Sequence, residues 1–595
     1  MTTTGAIFLR TLAYIGVTHI FANWGNDHPA LLEELERQRI ENGGKTYIEI
    51  CTSPNEMVAL SAAQGYAQVT GKPAAVIVHV DVGTQALAGA IHNVDRGRTP
   101  VLIFAGAAPF SLQGELKGSK NEWPMWPQDI PDQPAIVRQY MRYTAEIMSG
   151  KTVSKTVLRA LQFAMSEPQG PTYLWARREI MEEDIEISAI SAMPNITKWP
   201  IIQPSALNSQ AIQTISEALL KAEFPLIITA RSGRNPRTVP LLSALSHDLG
   251  IAVTTFCPSA MCLPHSHPHF LGTAFAGKTH LVQEADVVIV FDAEIPWIDT
   301  QGSAPQEHTR VFVIEADPLK STFGYWHADA EMICKVNPET ALSQIYDAVR
   351  TPAAKQQYDV AAIAGRKALL KQRHDEYITQ LQILEEPPSS STPSISNILA
   401  ELRRLVYEQT PSQGQNVLWI NEAISNYGTV FDHIRPEVPG SMICSGATSL
   451  GYALGAAVGA VLGARVAERE PDLTVVIVGD GTFLFCVPSA AYWMARRYNT
   501  PHLTIILNNG GWASPKNSLR GIYSTGFGSM ASGDRLTVGF GPEQPDYGQI
   551  AAGAGGAWAR KIQNSTEVRS LIQEAIQVVL EEKRCAVLDC IVESI

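Results

Sequence analysis

Short apolar runs alternate with stretches whose apolar residues recur every three to four positions along almost the whole 595-residue chain. The runs read as buried strands and the periodic stretches as helices, and their alternation predicts parallel α/β layers. Three blocks emerge, each a mostly parallel sheet flanked by helices. Residues 1–190 carry the strand-like THIFAN, AAVIVHV, PVLIFAG and PTYLWA. The Pro-bearing MPNITKWPIIQPS then reads as a linker. Residues 205–350 carry PLIITA, AVTTF, DVVIVFDA and RVFVIEAD, and 351–395 is a charged helical segment ending in the linker EEPPSSSTPS. Residues 396–595 carry NVLWIN, LTVVIVGD, LTIILNN and CAVLDCIV.

One apolar run is helical rather than strand-like. Leu450 to Ala464 reads LGYALGAAVGAVLGA, with Gly451, Gly455, Gly459 and Gly463 four residues apart. It is shorter than the roughly 20 residues that span a bilayer. Glycine costs about 1 kcal/mol per helical position relative to alanine, so the ridge predicts a buried helix against which another backbone comes very close.

Composition narrows the function. The 58 acidic and 46 basic residues give a net charge of −12, with no Lys/Arg cluster, which argues against a nucleic-acid or membrane partner. Eight scattered cysteines do not form a disulfide framework. The opening MTTTGAIFLRTLAYIG lacks the basic start and cleavage site of a signal peptide and predicts an amphipathic first helix. The expected compartment is the cytoplasm.

Residues 272–279 read GTAFAGKT, the letters of a nucleotide phosphate loop. Such a loop must follow a buried strand and open a helix, so that backbone N–H groups converge on the anion. Here CPSAMCLPHSHPHFL precedes it, and only six residues separate Thr279 from the strand at Asp286. The stretch is expected to be a connection with Lys278 solvated. Cys257 and Cys262 beside His265, His267 and His269 lack the spacing and second half-site of a zinc centre.

A better anion site lies at 474–512. The apolar Thr474–Val478 runs into Gly479-Asp480-Gly481, and a second apolar strand, Leu503–Leu507, ends at Asn508-Asn509. Both strands deliver oxygen-bearing side chains at their carboxyl ends, where open α/β sheets bind ligands. Asp480 and an Asn amide oxygen are hard ligands of the kind Mg²⁺ takes when phosphates complete its shell. GDG, twenty-six residues (482–507), then NN resembles the diphosphate signature of thiamine-diphosphate-dependent enzymes. The first block supplies the partner this demands: in CTSPNEMVALSAAQGYAQVTG, Glu56 resembles the family's glutamate that faces the aminopyrimidine.

The resemblance covers nearly the whole chain and implies a pyrimidine-binding, a central and a diphosphate-binding domain. It implies thiamine diphosphate and Mg²⁺ as cofactors, with Glu56 promoting the imino tautomer so that a C2 ylid attacks a carbonyl and leaves an enamine. Asp480, Asn509 and the Gly511 carbonyl would hold the metal. Ser425 and Thr482 would donate to the diphosphate, beside Gly479 and Gly481. Leu450 would hold the cofactor bent, and the Thr448 carbonyl would accept from its exocyclic amine. The glutamate and GDG–NN halves meet across a subunit interface in the family, which implies a homodimer at least and commonly a homotetramer.

VHVDVGTQALAGAIHN resembles the matching segment of benzoylformate decarboxylase, and His79, twenty-three residues after Glu56, falls at that enzyme's first active-site histidine. Its imidazole would orient a carboxylate or relay a proton. The second histidine is absent, and PWIDTQG near Asp299 stands in its place. Asn26 lies where that enzyme has a substrate-contacting serine, and Trp123 and Trp126 are candidates for a pocket wall. The expected reaction is non-oxidative decarboxylation of a small 2-keto acid. The alternatives are an acetolactate-synthase-like carboligase, an aldehyde lyase, or a non-catalytic binding protein. The synthase likeness would bring FAD to the central domain, but no flavin-specific residue set supports it.

Overall fold

The structure, a computed structural model, describes residues 2–186, 193–275, 279–298, 300, 302–319 and 329–595. Apart from a two-residue antiparallel pairing of β1 (Thr2–Thr3) with β8 (Asp184–Ile185), the named strands form three parallel six-stranded sheets. The first holds β2 (His19–Ala22), β3 (Glu49–Thr52), β4 (Ala74–Val78), β5 (Val101–Ala107), β6 (Tyr143–Glu146) and β7 (Thr172–Arg177), in the order β3-β2-β4-β5-β7-β6. The second holds β9 (Pro225–Thr229), β10 (Ala252–Phe256), β11 (Phe270–Ala274), β12 (Val287–Phe291), β13 (Arg310–Glu315) and β14 (Met332–Lys335), ordered β11-β10-β9-β12-β13-β14. The third holds β15 (Val417–Glu422), β16 (Met442–Cys444), β17 (Leu473–Gly479), β18 (Leu503–Asn508), β19 (Trp558–Ile562) and β20 (Ala586–Ile591), ordered β16-β15-β17-β18-β20-β19.

The first and third sheets thus share one strand order, and the second has another. In each sheet the winding reverses between two inner strands, β2 and β4, β9 and β12, or β15 and β17; the first and third sheets turn back once more at the edge strands β6 and β19. At such a reversal the connections leave in opposite directions, and a crevice opens beyond the carboxyl ends of the two strands. The central strands β4, β9, β12 and β18 are buried throughout, which is why they read as unbroken apolar runs.

By packing, the chain divides into two compact units. One comprises Met1–Gln203, Ala447–Glu470 and Leu484–Thr500, and the other comprises Pro204–Gly446, Pro471–Phe483 and Pro501–Ile595. In the first unit the helix Glu56–Thr70 starts at Asn55, whose side chain accepts the Val58 N–H at 3.1 Å, and stops at Gly71 in the left-handed region. The glycine-ridge helix, Ala453–Val466, lies against it. It begins later than expected because Gly451 takes φ 110°, outside helical backbone.

In the second unit the helix expected around 355–384 spans Val360–Glu385. After the linker, the Ser394 hydroxyl caps the next helix by accepting the Asn397 N–H at 3.2 Å.

One expectation is corrected. Residues 272–279 are not simply a connection, because Gly272, Thr273 and Ala274 complete the edge strand β11, paired parallel with β10. Alternate residues of β11 are buried, so it lacks the continuous apolar run that marks an inner strand. Ala276 to Lys278 lie outside the described residues. Among the described residues, β11 is an edge strand and the next helix, Leu281–Glu284, is a single turn, not the buried strand and full helix a phosphate loop uses.

Candidate active site

The reversal of the first sheet brings together the segment after β2 and the segment after β4. Asn23 follows β2, and its side-chain amide donates to Glu56 Oε1 at 2.9 Å. Glu56 is half-buried at the first position of its helix, and the Gly83 backbone comes so near that a Cβ there would lie 3.2 Å from Oε1. His79 directly follows β4 and takes the N-cap position of the short helix Val80–Ala86.

Its Nδ1 is hydrogen-bonded to Asp27 Oδ1, and the other Asp27 oxygen accepts the Val80 N–H at 3.2 Å. His28 Nδ1 accepts the Gly25 N–H at 3.1 Å, which leaves its protonated Nε2 3.2 Å from Asp27 Oδ2. Burial pushes the Asp27 carboxyl up, but the two imidazoles outweigh it and hold the group below the usual range. His79 is raised: burial opposes its charge, and the Asp27 carboxylate overcomes that.

The reversal of the third sheet, in the second unit, gathers a separate group of residues. β17 delivers Gly479, Asp480, Gly481 and Thr482, and the turn Ile424–Asn426 that carries the exposed Ser425 follows β15 beside it. Asp480 is 3% exposed; its Oδ1 accepts the Gly481 N–H at 2.8 Å, while Oδ2 is buried without a hydrogen-bond partner. Burial pushes this carboxyl up to about 6. An orphaned buried carboxylate oxygen is costly unless a cation or donor completes it, so the residue fits a metal ligand. A Cβ on Gly479 would meet nothing closer than Thr482 Oγ1 at 3.8 Å, so the glycine leaves open space before the helix start.

β18 delivers the asparagines. Asn508 donates to Asp589 at 2.8 Å and is thereby committed to the interior, whereas the half-buried Asn509 accepts the Gly511 N–H at 3.3 Å. Gly511 is required rather than merely tolerated, since a Cβ there would overlap the Val538 carbonyl. Tyr547, fully buried with its hydroxyl unpartnered, sets its ring edge-on to Phe483 at 5.5 Å.

The anticipated residues therefore divide. Glu56, His79, Thr448 and Leu450 belong to the first unit, and Ser425, Gly479 to Thr482, Asn509 and Gly511 to the second. Within the first, the Thr448–Gly451 segment is pinned close to Glu56. Asn93 donates to the Ser449 carbonyl at 2.8 Å, His92 Nε2 lies 3.2 Å from Thr448 Oγ1, and a Cβ on Gly451 would overlap Met57. Asn26 donates to Glu122 at 2.9 Å. Trp123 is 78% exposed, and Trp126 lies beneath the Lys120 ammonium at 5.3 Å. Asp299 lies outside the described residues. Asn23 and Asp27 were not anticipated. Their signal was the position of NWGND directly after a buried strand.

Comparison with known proteins agrees with this layout. Residues 2–136 match the thiamine pyrophosphate enzyme N-terminal TPP binding domain, 212–345 its central domain, and 423–590 its C-terminal TPP binding domain. The chain is 22% identical to human 2-hydroxyacyl-CoA lyase 1 over 45% of this chain and 44% of that protein. It is 22% identical to benzoylformate decarboxylase of Pseudomonas aeruginosa over 84% of each. With acetolactate synthase of Bacillus subtilis it shares 22% over 83% of this chain and 79% of that one. The crystal structure of benzoylformate decarboxylase from Polynucleobacter necessarius superposes with a TM-score of 0.76 at 17% identity, covering 100% of this chain and 99% of the other. With all three sheets in place and the three family domains matched along it, the chain belongs to the thiamine-pyrophosphate-dependent enzymes.

Proposed function

We propose that this enzyme uses thiamine diphosphate with Mg²⁺ to decarboxylate a small 2-keto acid without net oxidation. The observation that carries the cofactor reading is the buried, partnerless Asp480 Oδ2 between two glycines at the end of β17. Asp480, Asn509 and the Gly511 carbonyl would hold the metal, and Ser425, Thr482 and the Gly479–Gly481 backbone would receive the diphosphate. Leu450 and the Thr448 carbonyl would set the position of the pyrimidine ring. Bound thiamine diphosphate would supply a nucleophilic ring carbon to add to a carbonyl and a cationic thiazolium ring to take up the electron pair of the adjacent C–C bond when it breaks.

The protein's part is binding, orientation and proton traffic. Glu56, oriented by Asn23, would share a proton with the ring nitrogen of the pyrimidine. His79 would meet the substrate carboxylate or move a proton at the reacting carbon. Decarboxylation is preferred over the other family reactions because an imidazole whose charged form is favoured suits a carboxylate substrate. The decarboxylase relative aligns over 84% of its own length, against 44% for the human lyase and 73% for the mouse lyase. A C–C lyase or carboligase acting through the same residues is the second reading, supported by the lyase and synthase relatives. Assembly as at least a homodimer is part of the proposal.

The test loads the protein with Mg²⁺ and thiamine diphosphate and follows hydrogen–deuterium exchange at cofactor C2. Exchange that collapses in Glu56→Gln supports the assignment, and exchange indifferent to Glu56 sinks it. A panel of aliphatic and aromatic 2-keto acids, with CO₂, aldehyde and ligation products followed by mass spectrometry, separates decarboxylase from ligase and lyase.

A further inference from the structure

We infer that Asp27 is a positioning residue for His79: by taking the Nδ1 proton it presents Nε2 to the reacting group, with His28 as its outer partner. The inference rests on the proposed role of His79.

Its first support is geometric. His79 Nδ1 bonds Asp27 Oδ1, and Asp27 Oδ2 is fixed by the Val80 N–H, the residue that follows His79 in the chain. One carboxylate thus holds both the imidazole and the start of the helix that follows it. A carboxylate accepts only, so the shared proton belongs to Nδ1 and the neutral ring presents a lone pair at Nε2. His28 Nδ1 accepts the Gly25 N–H, which places its proton on Nε2; that nitrogen lies 3.2 Å from the other Asp27 oxygen, a close electrostatic contact and not a formed hydrogen bond.

The second support is the space reserved for this arrangement. A Cβ on Gly25 would overlap the His79 ring, and a Cβ on Gly106 would overlap Asp27 Oδ2. Gly25 lies beyond β2 and Gly106 within β5, so two separate segments yield their side chains to one pair of groups. Asp27 is 3% exposed and His28 1% exposed, whereas 17% of the His79 side chain is exposed. The outermost group of the chain is therefore the one that meets solvent or substrate.

The charged and polar groups facing the imidazole are Asp27 and, beyond it, His28, together with Asp81 on the following helix and Gln128 from the 109–131 segment. Both carboxylates favour the imidazolium, and Gln128 adds a hydrogen bond to the ring. Asp27 itself is held below the usual carboxylate range by the two imidazoles and the Val80 N–H, against its burial. One proton then leaves or joins Nε2, while the Nδ1 proton remains between His79 and Asp27.

The experiment labels histidine nitrogens with ¹⁵N and titrates the magnesium- and thiamine-diphosphate-loaded protein by NMR, with His79 identified by its loss in His79→Gln. The expected result is a neutral form protonated at Nδ1, titrating above the ordinary value near 6.5. In Asp27→Asn the midpoint falls by about one unit or more and the tautomer preference is lost. The pH profile of kcat shifts with it, kcat drops roughly 100-fold, and KM changes little. Wild-type His79 protonated at Nε2 in its neutral form, or an unmoved His79 midpoint and pH profile in Asp27→Asn, overturns the inference. Because the wild-type tautomer alone can overturn it, a variant that fails to fold does not shelter it. C2 exchange is measured in parallel: loss of its Glu56 dependence would refute the thiamine reading, and the His79 titration would still decide the pairing.

Discussion

Gly459 and Ala62 are in direct backbone contact: a Cβ on Gly459 would overlap the Ala62 carbonyl oxygen. The relationship repeats one turn away on each side. A Cβ on Gly455 would lie 3.0 Å from the Val58 carbonyl, and one on Gly463 would lie 3.0 Å from that of Tyr66. Positions 455, 459 and 463 on one helix thus step in register with 58, 62 and 66 on the other, the i, i+4 row of each. The ridge keys the cofactor loop's helix to the helix that begins with Glu56.

Gly459→Ala is therefore expected to destabilise the protein by about 1–3 kcal/mol, since the rigid carbonyl cannot yield as a side chain would. Gly365 is the contrasting site, in the exposed interior of the helix Val360–Glu385 with nothing within 4 Å of a Cβ. Gly365→Ala should stabilise by about 0.5–1 kcal/mol. Urea midpoints of the two variants check both signs.

Asp480→Asn separates metal binding from stability. Burial raises this carboxyl to about 6 in the folded protein, so its contribution to stability is present below the unfolded value near 4 and is lost as pH rises through about 6. At pH 7 the metal-free amide variant should be more stable than metal-free wild type by up to about 3 kcal/mol. It should also fail to retain thiamine diphosphate in Mg²⁺ after gel filtration. A variant that loses stability and keeps the cofactor would remove Asp480 from the metal site.

Part of the acid sensitivity should come from the second unit. Burial holds His265 down to about 3, and His267 and His269 to about 4. Their folded values lie below the unfolded one, so their contribution is complete above pH 6.5 and is lost as pH falls toward 4. Below pH 6 each should add a slope approaching 1.4 kcal/mol per pH unit. His265→Leu, at a ring packed 4.2 Å from Phe270, should make unfolding less pH-dependent by one proton. Thermal midpoints between pH 4.5 and 7.5 measure the difference.

Glu385 offers a fourth check. It ends the long helix at 1% exposure and takes Arg435 at 2.7 Å, Arg403 at 3.0 Å and His433 at 3.1 Å. Burial opposes its charge, but His433 and the arginines hold it down to about 2, so its stabilisation is present above pH 4.5 and fades as pH falls toward 2. Glu385→Gln strands the guanidinium groups and should cost about 3–5 kcal/mol at pH 7. A loss below about 1 kcal/mol in chemical denaturation would show that solvent takes over the arginines.

Some of this was readable in the residues themselves. The inner strands are buried on both faces and so must be apolar throughout, which made AAVIV, PLIIT, VVIVF and LTIILN plain. The glycine spacing announced a close backbone contact, because that contact depends on residue types at fixed local offsets; the proposed diphosphate site rests on offsets of the same kind in GDG–NN. The edge strands YTAE and MICK bury no residue completely and WARKI only its two ends, so their patterns do not stand out from loops. The same holds for β11, which hid inside letters that imitate a phosphate loop.

What the sequence could not decide was who meets whom. That Glu56 takes its hydrogen bond from Asn23, that Asp27 rather than a backbone carbonyl holds His79, and that the 455–463 ridge lies on 58–66 are all long-range facts. The first two follow from the strand order β3-β2-β4-β5, which sets β2 beside β4 and so brings two segments some fifty residues apart to one crevice; the third follows from the packing of two helices far apart in the chain. Local pattern fixes which residues a strand can bury. Only the order of strands in the sheet determines which side chains its ends deliver to the same place.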